Sequence, residues 1–222
     1  MTLMISPAVE PLLKSHLFPT YVEQMQRYFD AEREKREAYY DWLKPNIKAE
    51  FINGEVLMQS PAKDRHTIAS KNLSSLLDAY VEKHNLGFVG VETALVSLTR
   101  NDYLPDICFF LPNKADFFTL DQMHHPAPDF VVEILSPSTE RTDRGVKAND
   151  YADHDVAEYW LVDPVNEIVE QFFLENGRFE LHLKVKTGRL ESRRVVDGFK
   201  IEVEAVFSGS RRNAELLRIL SE

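Results

Sequence analysis

PDFVVEILSPST, residues 128–139, is an apolar run interrupted by one acid, Glu133. Phe130, Val131, Val132, Ile134 and Leu135 surround it and predict a strand at the centre of a sheet. Pro137 predicts the strand's stop, and Ser138 or Thr139 the entry to a following helix. Alternate residues of a strand share a face, so Glu133 lies with Val131 and Leu135. A carboxylate in that setting is costly to bury unless a charged group meets it.

A second Pro-Asp pair opens another apolar run, YLPDICFFL, at Pro105-Asp106. If the two strands are neighbours, Asp106 and Glu133 converge at one end of the sheet. Two carboxylates so placed repel unless one is protonated or a cation lies between them. Their hard oxygens suit Mg²⁺ or Mn²⁺. Such an ion polarises a phosphoryl oxygen and acidifies a bound water. A lysine beside it can orient the water or stabilise charge on the phosphate. Lys147 is the candidate, on a helix predicted over STERTDRGVKANDYADH, residues 138–154, with Gly145 as its weak point. Asp143, one helical turn earlier, can pair with Lys147 or with Arg144.

Outward from this centre the chain reads as mixed α and β. Residues 1–19 hold Pro7, Pro11 and Pro19 and read as an irregular arm. Residues 20–44 read as a helix with a Thr20–Glu23 capping box, stopped by Pro45. Tyr21, Met25, Tyr28 and Phe29 give that helix an apolar edge, so either it is solvated or the arm pairs with a second copy as a homodimer. AEFINGEVLMQ predicts a hairpin about Asn53-Gly54. DRHTIASKNLSSLLDAYVEKH predicts an amphipathic helix burying Ile68, Leu73, Leu76, Leu77 and Tyr80. GFVGVETALVSLT and YLPDICFFL predict two strands joined by a polar turn, and residues 112–127 a loop with a helical turn. EYWLVDP is a strand, Asn176-Gly177 turns a second hairpin, and RRNAELLRIL is a closing helix.

The 222 residues carry 26 Lys and Arg against 36 Asp and Glu, a formal charge of −10, which argues against broad non-specific nucleic-acid binding but allows a local basic groove. Residues 178–200 offer one, with seven Lys or Arg against three Asp or Glu, though lysines guarding a strand edge explain it equally. A single cysteine, Cys108, excludes an internal disulfide and a cysteine-rich zinc site and fits a reducing cytoplasm. No apolar run approaches the ~20 residues that span a bilayer, and the first residues lack the pattern of a signal peptide.

Other side chains carry two readings each. Glu55, after the Asn-Gly turn, is a third carboxylate of the site or an exposed hairpin acid. His66 assists the site from its helix start or belongs to a cap region. Tyr151 is expected to pack on the sheet with its hydroxyl at the rim. Cys108 reads as a small core residue and His124-His125 as a loop pair, since adjacent side chains diverge. Ser136-Pro137-Ser138 lacks the surroundings of a nucleophile elbow.

The ordered set EFINGE (50–55), His66, Pro105-Asp106, PDFVVEILSPST (128–139), Asp143, Lys147, Tyr151 and EYWLVDP (158–164) resembles the PD-(D/E)xK restriction-endonuclease-like superfamily, in its large bacterial Uma2/DUF820-type group. The likeness spans roughly residues 48–175. It implies an α/β restriction-endonuclease-like mixed sheet flanked by helices, in a domain read over residues 46–222; the N-terminal helical arm, residues 1–45, and the final stretch lie outside the likeness and are read from the residues alone. It implies a Mg²⁺- or Mn²⁺-dependent DNA endonuclease with Asp106 and Glu133 as metal ligands and Asp106, Glu133, Lys147, Glu55 and His66 in the catalytic site. The superfamily lysine normally lies two residues after the acid, where this chain has Leu135. The resemblance implies that Lys147 takes that role; if it does not, the fold serves as a silent nucleic-acid-binding or assembly module.

Overall fold

A computed structural model describes residues 6–44, 46–92 and 94–222. The chain begins with α1 (Glu10–Leu13), α2 (Phe18–Trp42), β1 (Ala49–Ile52), β2 (Glu55–Met58) and α3 (Asp64–His84). It continues through β3 (Phe88–Val91), β4 (Leu95–Ser97), β5 (Asp102–Tyr103), β6 (Ile107–Phe110), α4 (Pro112–Ala115), β7 (His124–His125) and β8 (Phe130–Ile134). A broken helix follows: α5 (Glu140–Thr142), a π-helical turn (Asp143–Lys147) and α6 (Ala148–Asp153). The remainder is β9 (Glu158–Asp163), β10 (Ile168–Glu175), β11 (Arg178–Val185), β12 (Arg189–Glu191), β13 (Lys200–Glu202), α7 (Glu204–Phe207) and α8 (Gly209–Ser221).

The central sheet has six strands in the order β11-β10-β9-β8-β6-β3. All of its pairs are antiparallel except β8 with β9. That parallel pair needs a crossover, and the broken helix is the crossover, which lays it across one face of β8. Val131 and Leu135 lie on that face with Cys108, Phe110, Tyr151 and Tyr159. The other face buries Phe130, Val132, Ile134 and Trp160 against α3, α7 and α8. β8 is buried at all five positions, as its apolar sequence dictates.

The two predicted hairpins form. Asn53 (φ 52°) and Gly54 (φ 84°) join β1 to β2, and Asn176 (φ 52°) and Gly177 (φ 78°) join β10 to β11. Left-handed conformations at both positions match a hairpin's twist. The strands predicted around the polar turn at 100–102 each divide between two sheets. β3 and β6 pair in the central sheet, while β4 and β5 pair in a second sheet ordered β2-β1-β5-β4-β7. Glu92, at φ 50°, makes the break on one side, and Pro105, which cannot donate to a ladder, lies in the break on the other.

Four expectations are corrected. The Thr20–Glu23 box makes no cap, because α2 starts at Phe18 with Leu17 before it and a proline in its first turn. Ile68 is 46% exposed; Ala69 takes the inward position, one helical step round from it. His124-His125 is a two-residue strand parallel to β4, not a loop pair. The helix over 138–154 is not continuous, since Gly145 lies in a π-helical turn. Pro45, the expected helix stop, lies outside the described residues; α2 already ends at Trp42 with Leu43 extended.

α2 is tied down through its second half. Arg36 forks onto the buried Asp102 at 2.6 and 2.9 Å, the Tyr39 hydroxyl donates to the Ala49 carbonyl, and Arg100 grips Glu32 with two 2.7 Å bonds. Its first half exposes Val22, Met25, Tyr28 and Phe29. Among the described residues no helix is long and apolar enough to cross a membrane.

Candidate active site

β6 and β8 are antiparallel neighbours with Ile107 opposite Val132, so Asp106 stands opposite Glu133. The Asp106 carboxylate bends across to accept the Ile134 N–H at 2.7 Å and meets His66 Nε2 at 3.2 Å. His66 reaches it from the first turn of α3, while its Nδ1 is buried without a partner. Glu133 is 3% exposed and projects toward the crossover helix. The Lys147 ammonium meets its Oε1 at 3.2 Å, and the Tyr151 hydroxyl donates to the same oxygen at 3.2 Å. Tyr151 is therefore fully buried beneath the site, not at the rim as its sequence position suggested.

Leu135 packs in the core on the Glu133 face, so the lysine present is the one on the crossover. Its ammonium stands between three carboxylates: Glu50 at 2.9 Å, Glu133 at 3.2 Å and Asp143 at 3.3 Å. The π-helical turn carries both Asp143 and Lys147 inward, and both are buried. Arg144, the alternative partner of Asp143, turns outward to Glu140 and Glu170. The Tyr159 hydroxyl, donating to the Asp143 carbonyl at 2.9 Å, pins the turn from the sheet below.

Glu50 was missed in the sequence reading and Glu55 named instead. Both belong to the β1–β2 hairpin and face the same side, since Glu50 pairs with Leu57 and Ile52 with Glu55. β1 is covered and its acid points at Lys147; β2 is an exposed edge, and Glu55 stands in solvent two positions further along. An available signal was the one that singled out Glu133, a lone carboxylate within an apolar strand, here AEFI.

Four acids thus share the site with one lysine and one histidine. Burial pushes the Glu133 carboxyl well above its ordinary value; Lys147 pulls it down, and Asp143, Asp106 and Glu50 push it up again. Burial likewise raises Asp143 against the pull of Lys147. Burial disfavours charge on Lys147, but Glu133, Glu50 and Asp143 outweigh it and hold the ammonium well above its usual value. Burial also works against a charged His66, and Asp106 overcomes it, raising the imidazole. The site is short of positive charge, and Asp143 Oδ1 is buried without a hydrogen-bond partner. Hard oxygen donors with surplus negative charge fit a cation such as Mg²⁺. Among the described residues no three ligating side chains already stand in a metal-holding arrangement.

The predicted basic stretch is largely neutralised. Lys184 pairs with Glu170, Arg193 with Glu191, Arg194 with Glu175, Arg178 with Glu180 and Arg189 with Glu202.

A mixed sheet with a helical crossover, acids at the ends of neighbouring strands and a lysine on the crossover define a restriction-endonuclease-like fold. The chain belongs to the Uma2 family, whose model, described as "Putative restriction endonuclease", matches residues 36–204. It is 26% identical over 181 residues to an uncharacterized protein of Synechocystis sp. (slr1290), covering 78% of this chain and 90% of that relative. A solved structure from Anabaena variabilis, described as "a putative nuclease belonging to DUF820", shares the fold. Its TM-score is 0.62 at 17% identity, over 76% of this chain and 90% of that one.

Proposed function

We propose that this protein is a metal-dependent DNA endonuclease that hydrolyses phosphodiester bonds. The observation that carries this reading is that Lys147, from the crossover, meets Glu133 while Asp106 stands opposite Glu133 on the next strand. Asp106 and Glu133 would hold Mg²⁺ or Mn²⁺, which supplies charge neutralisation at the phosphate and a more acidic water. Lys147 would supply the ammonium that stabilises negative charge developing on the phosphate or orients the attacking water. Tyr151 and the Ile134 N–H hold the two carboxylates in place. His66, from the first turn of α3, is fixed against Asp106 through its Nε2 and braces that carboxylate.

A second reading, a nucleic-acid-binding or assembly module that keeps the fold without cutting, is favoured by the burial of Lys147, which is 3% exposed with its ammonium engaged by three acids. Plasmid cleavage with Mg²⁺ or Mn²⁺ separates the two. The nuclease reading expects cleavage by the wild type and none by Asp106→Asn, Glu133→Gln or Lys147→Ala. Absence of cleavage by the wild type across metals and salt, with DNA retained in a binding assay, would establish the second.

A further inference from the structure

We infer that Glu50 is the positioning residue of this site, bracing Lys147 from the second sheet. The inference rests on the nuclease reading for its consequence in catalysis, but not for the contact itself. A lysine two residues after Glu133 would be oriented by the strand that carries the acid. Lys147 instead hangs from a helix on a flexible four-carbon stem, and its head group must be fixed by what surrounds it.

Three acids surround it, and they differ in how firmly they are themselves held. Asp143 shares the π-helical turn with Lys147, so it places the ammonium relative to that turn and gives it no tie to the second sheet. Its Oδ1, 3.3 Å from the ammonium, lacks a hydrogen-bonded partner. Glu133 is the group against which the lysine must be positioned. Glu50 lies closest, at 2.9 Å, and stands on a different sheet. Its Oε1 is anchored by the Leu104 N–H at 2.9 Å, just before the chain enters Pro105-Asp106. One carboxylate oxygen therefore ties the lysine to the backbone that carries Asp106. Glu50 is 5% exposed and its strand is covered throughout, so water does not compete for that oxygen.

The test uses the full chain and reads Lys147 directly. Acetylation by a water-soluble amine-reactive ester, mapped by mass spectrometry, is scored against the exposed Lys186 as internal control. Glu50→Gln keeps an oxygen for the Leu104 N–H and removes the charge. Lys147 should then acetylate about tenfold faster than in wild type, as local opening becomes easier. Glu50→Asp, with the charge withdrawn by one methylene, should fall between. Where wild type cleaves DNA, Glu50→Gln should lower kcat by ~10² with KM unchanged, and Glu50→Asp should partly rescue it. Unchanged Lys147 labelling in Glu50→Gln would overturn the inference, as would labelling that rises without a loss of kcat in a cleaving protein. If wild type does not cleave, the nuclease reading fails while the labelling result still decides the brace. If Glu50→Gln is too unstable to label, a denaturation cycle with Lys147→Met and the double variant decides instead. A double variant less destabilised than the sum of the singles supports a brace acting through Lys147; additivity overturns it.

Discussion

Glu133 and Glu158 are two buried glutamates on neighbouring parallel strands, opened to opposite faces of one sheet. Glu158 is fully buried and, among the described residues, meets no cation; it accepts from five neutral donors. Trp160 Nε1 and Gln171 Nε2 reach one oxygen at 2.7 and 2.6 Å. The Ser192 hydroxyl and the Arg193 and Arg194 N–H groups reach the other at 2.9, 3.3 and 3.2 Å. Glu133 has a tyrosine hydroxyl and an ammonium on one oxygen and three further acids around it. Burial alone does not mark a functional acid. Glu158 has everything a carboxylate requires and fastens the 192–196 loop to the sheet. Glu133 sits in a group whose charge does not balance, and that imbalance is what a metal or a phosphate-bound metal would relieve.

The contrast can be broken in order of effect. Glu133→Gln should cost about three orders of magnitude in DNA cleavage if, as proposed, the Glu133 carboxylate holds the metal. Its stability should stay within about 1 kcal/mol of wild type, because a neutral amide replaces a carboxyl whose charged form burial and three neighbouring acids disfavour. Lys147→Met should cost about 3–5 kcal/mol in urea unfolding, as it leaves three buried acids without their cation. A loss below about 1 kcal/mol would mean that the ammonium is not what holds the cluster together. Glu158→Gln should cost about 2–3 kcal/mol, because a Gln NH₂ must face donors that had a charged acceptor, with cleavage per folded molecule retained. If it instead abolished cleavage without loss of stability, the division of roles between the two glutamates would fail.

The smallest effect concerns a third acid, Glu170, which bonds Arg144 at 2.5 Å and Lys184 at 2.8 Å. Burial raises its carboxyl, but the two cations outweigh it and leave its pKa below the ordinary 4.5. A lowered folded pKa gives stability that is present above the unfolded value and lost as pH falls through the folded one. Wild type should therefore exceed Glu170→Gln by about 1 kcal/mol at pH 7, and the gap should close as pH is taken below 4.5. A gap independent of pH would assign the contribution to packing.

Much of this was readable from residue order. Strand alternation put Glu133 with Val131 and Leu135, and the Pro-Asp pairs put Asp106 at the matching end of the next strand. The helix expected after the Glu133 strand lets Lys147 reach back toward its end; that the helix is the crossover of a parallel pair is visible only in the sheet order. Glu50 was missed because a dipeptide turn drew attention to the acid beside it, Glu55, although AEFI carries the same mark as FVVEI. That mark also picks out Glu158, a structural acid, so it cannot sort acids alone. What it lacks is the identity of the partners, and those come from distant segments: Ser192 for Glu158, Leu104 for Glu50. The division of one expected hairpin between two sheets was equally hidden, since it depends on a left-handed backbone at Glu92 and on which strands lie nearby.

Glu133, and not Glu158, is the acid proposed to hold a cation. Calorimetric titration of the full chain with Mn²⁺ near neutral pH tests this without requiring a DNA target. Saturable binding is expected in wild type, with its loss in Glu133→Gln and its retention in Glu158→Gln. Binding that survives Glu133→Gln, or no binding in wild type, would contradict it.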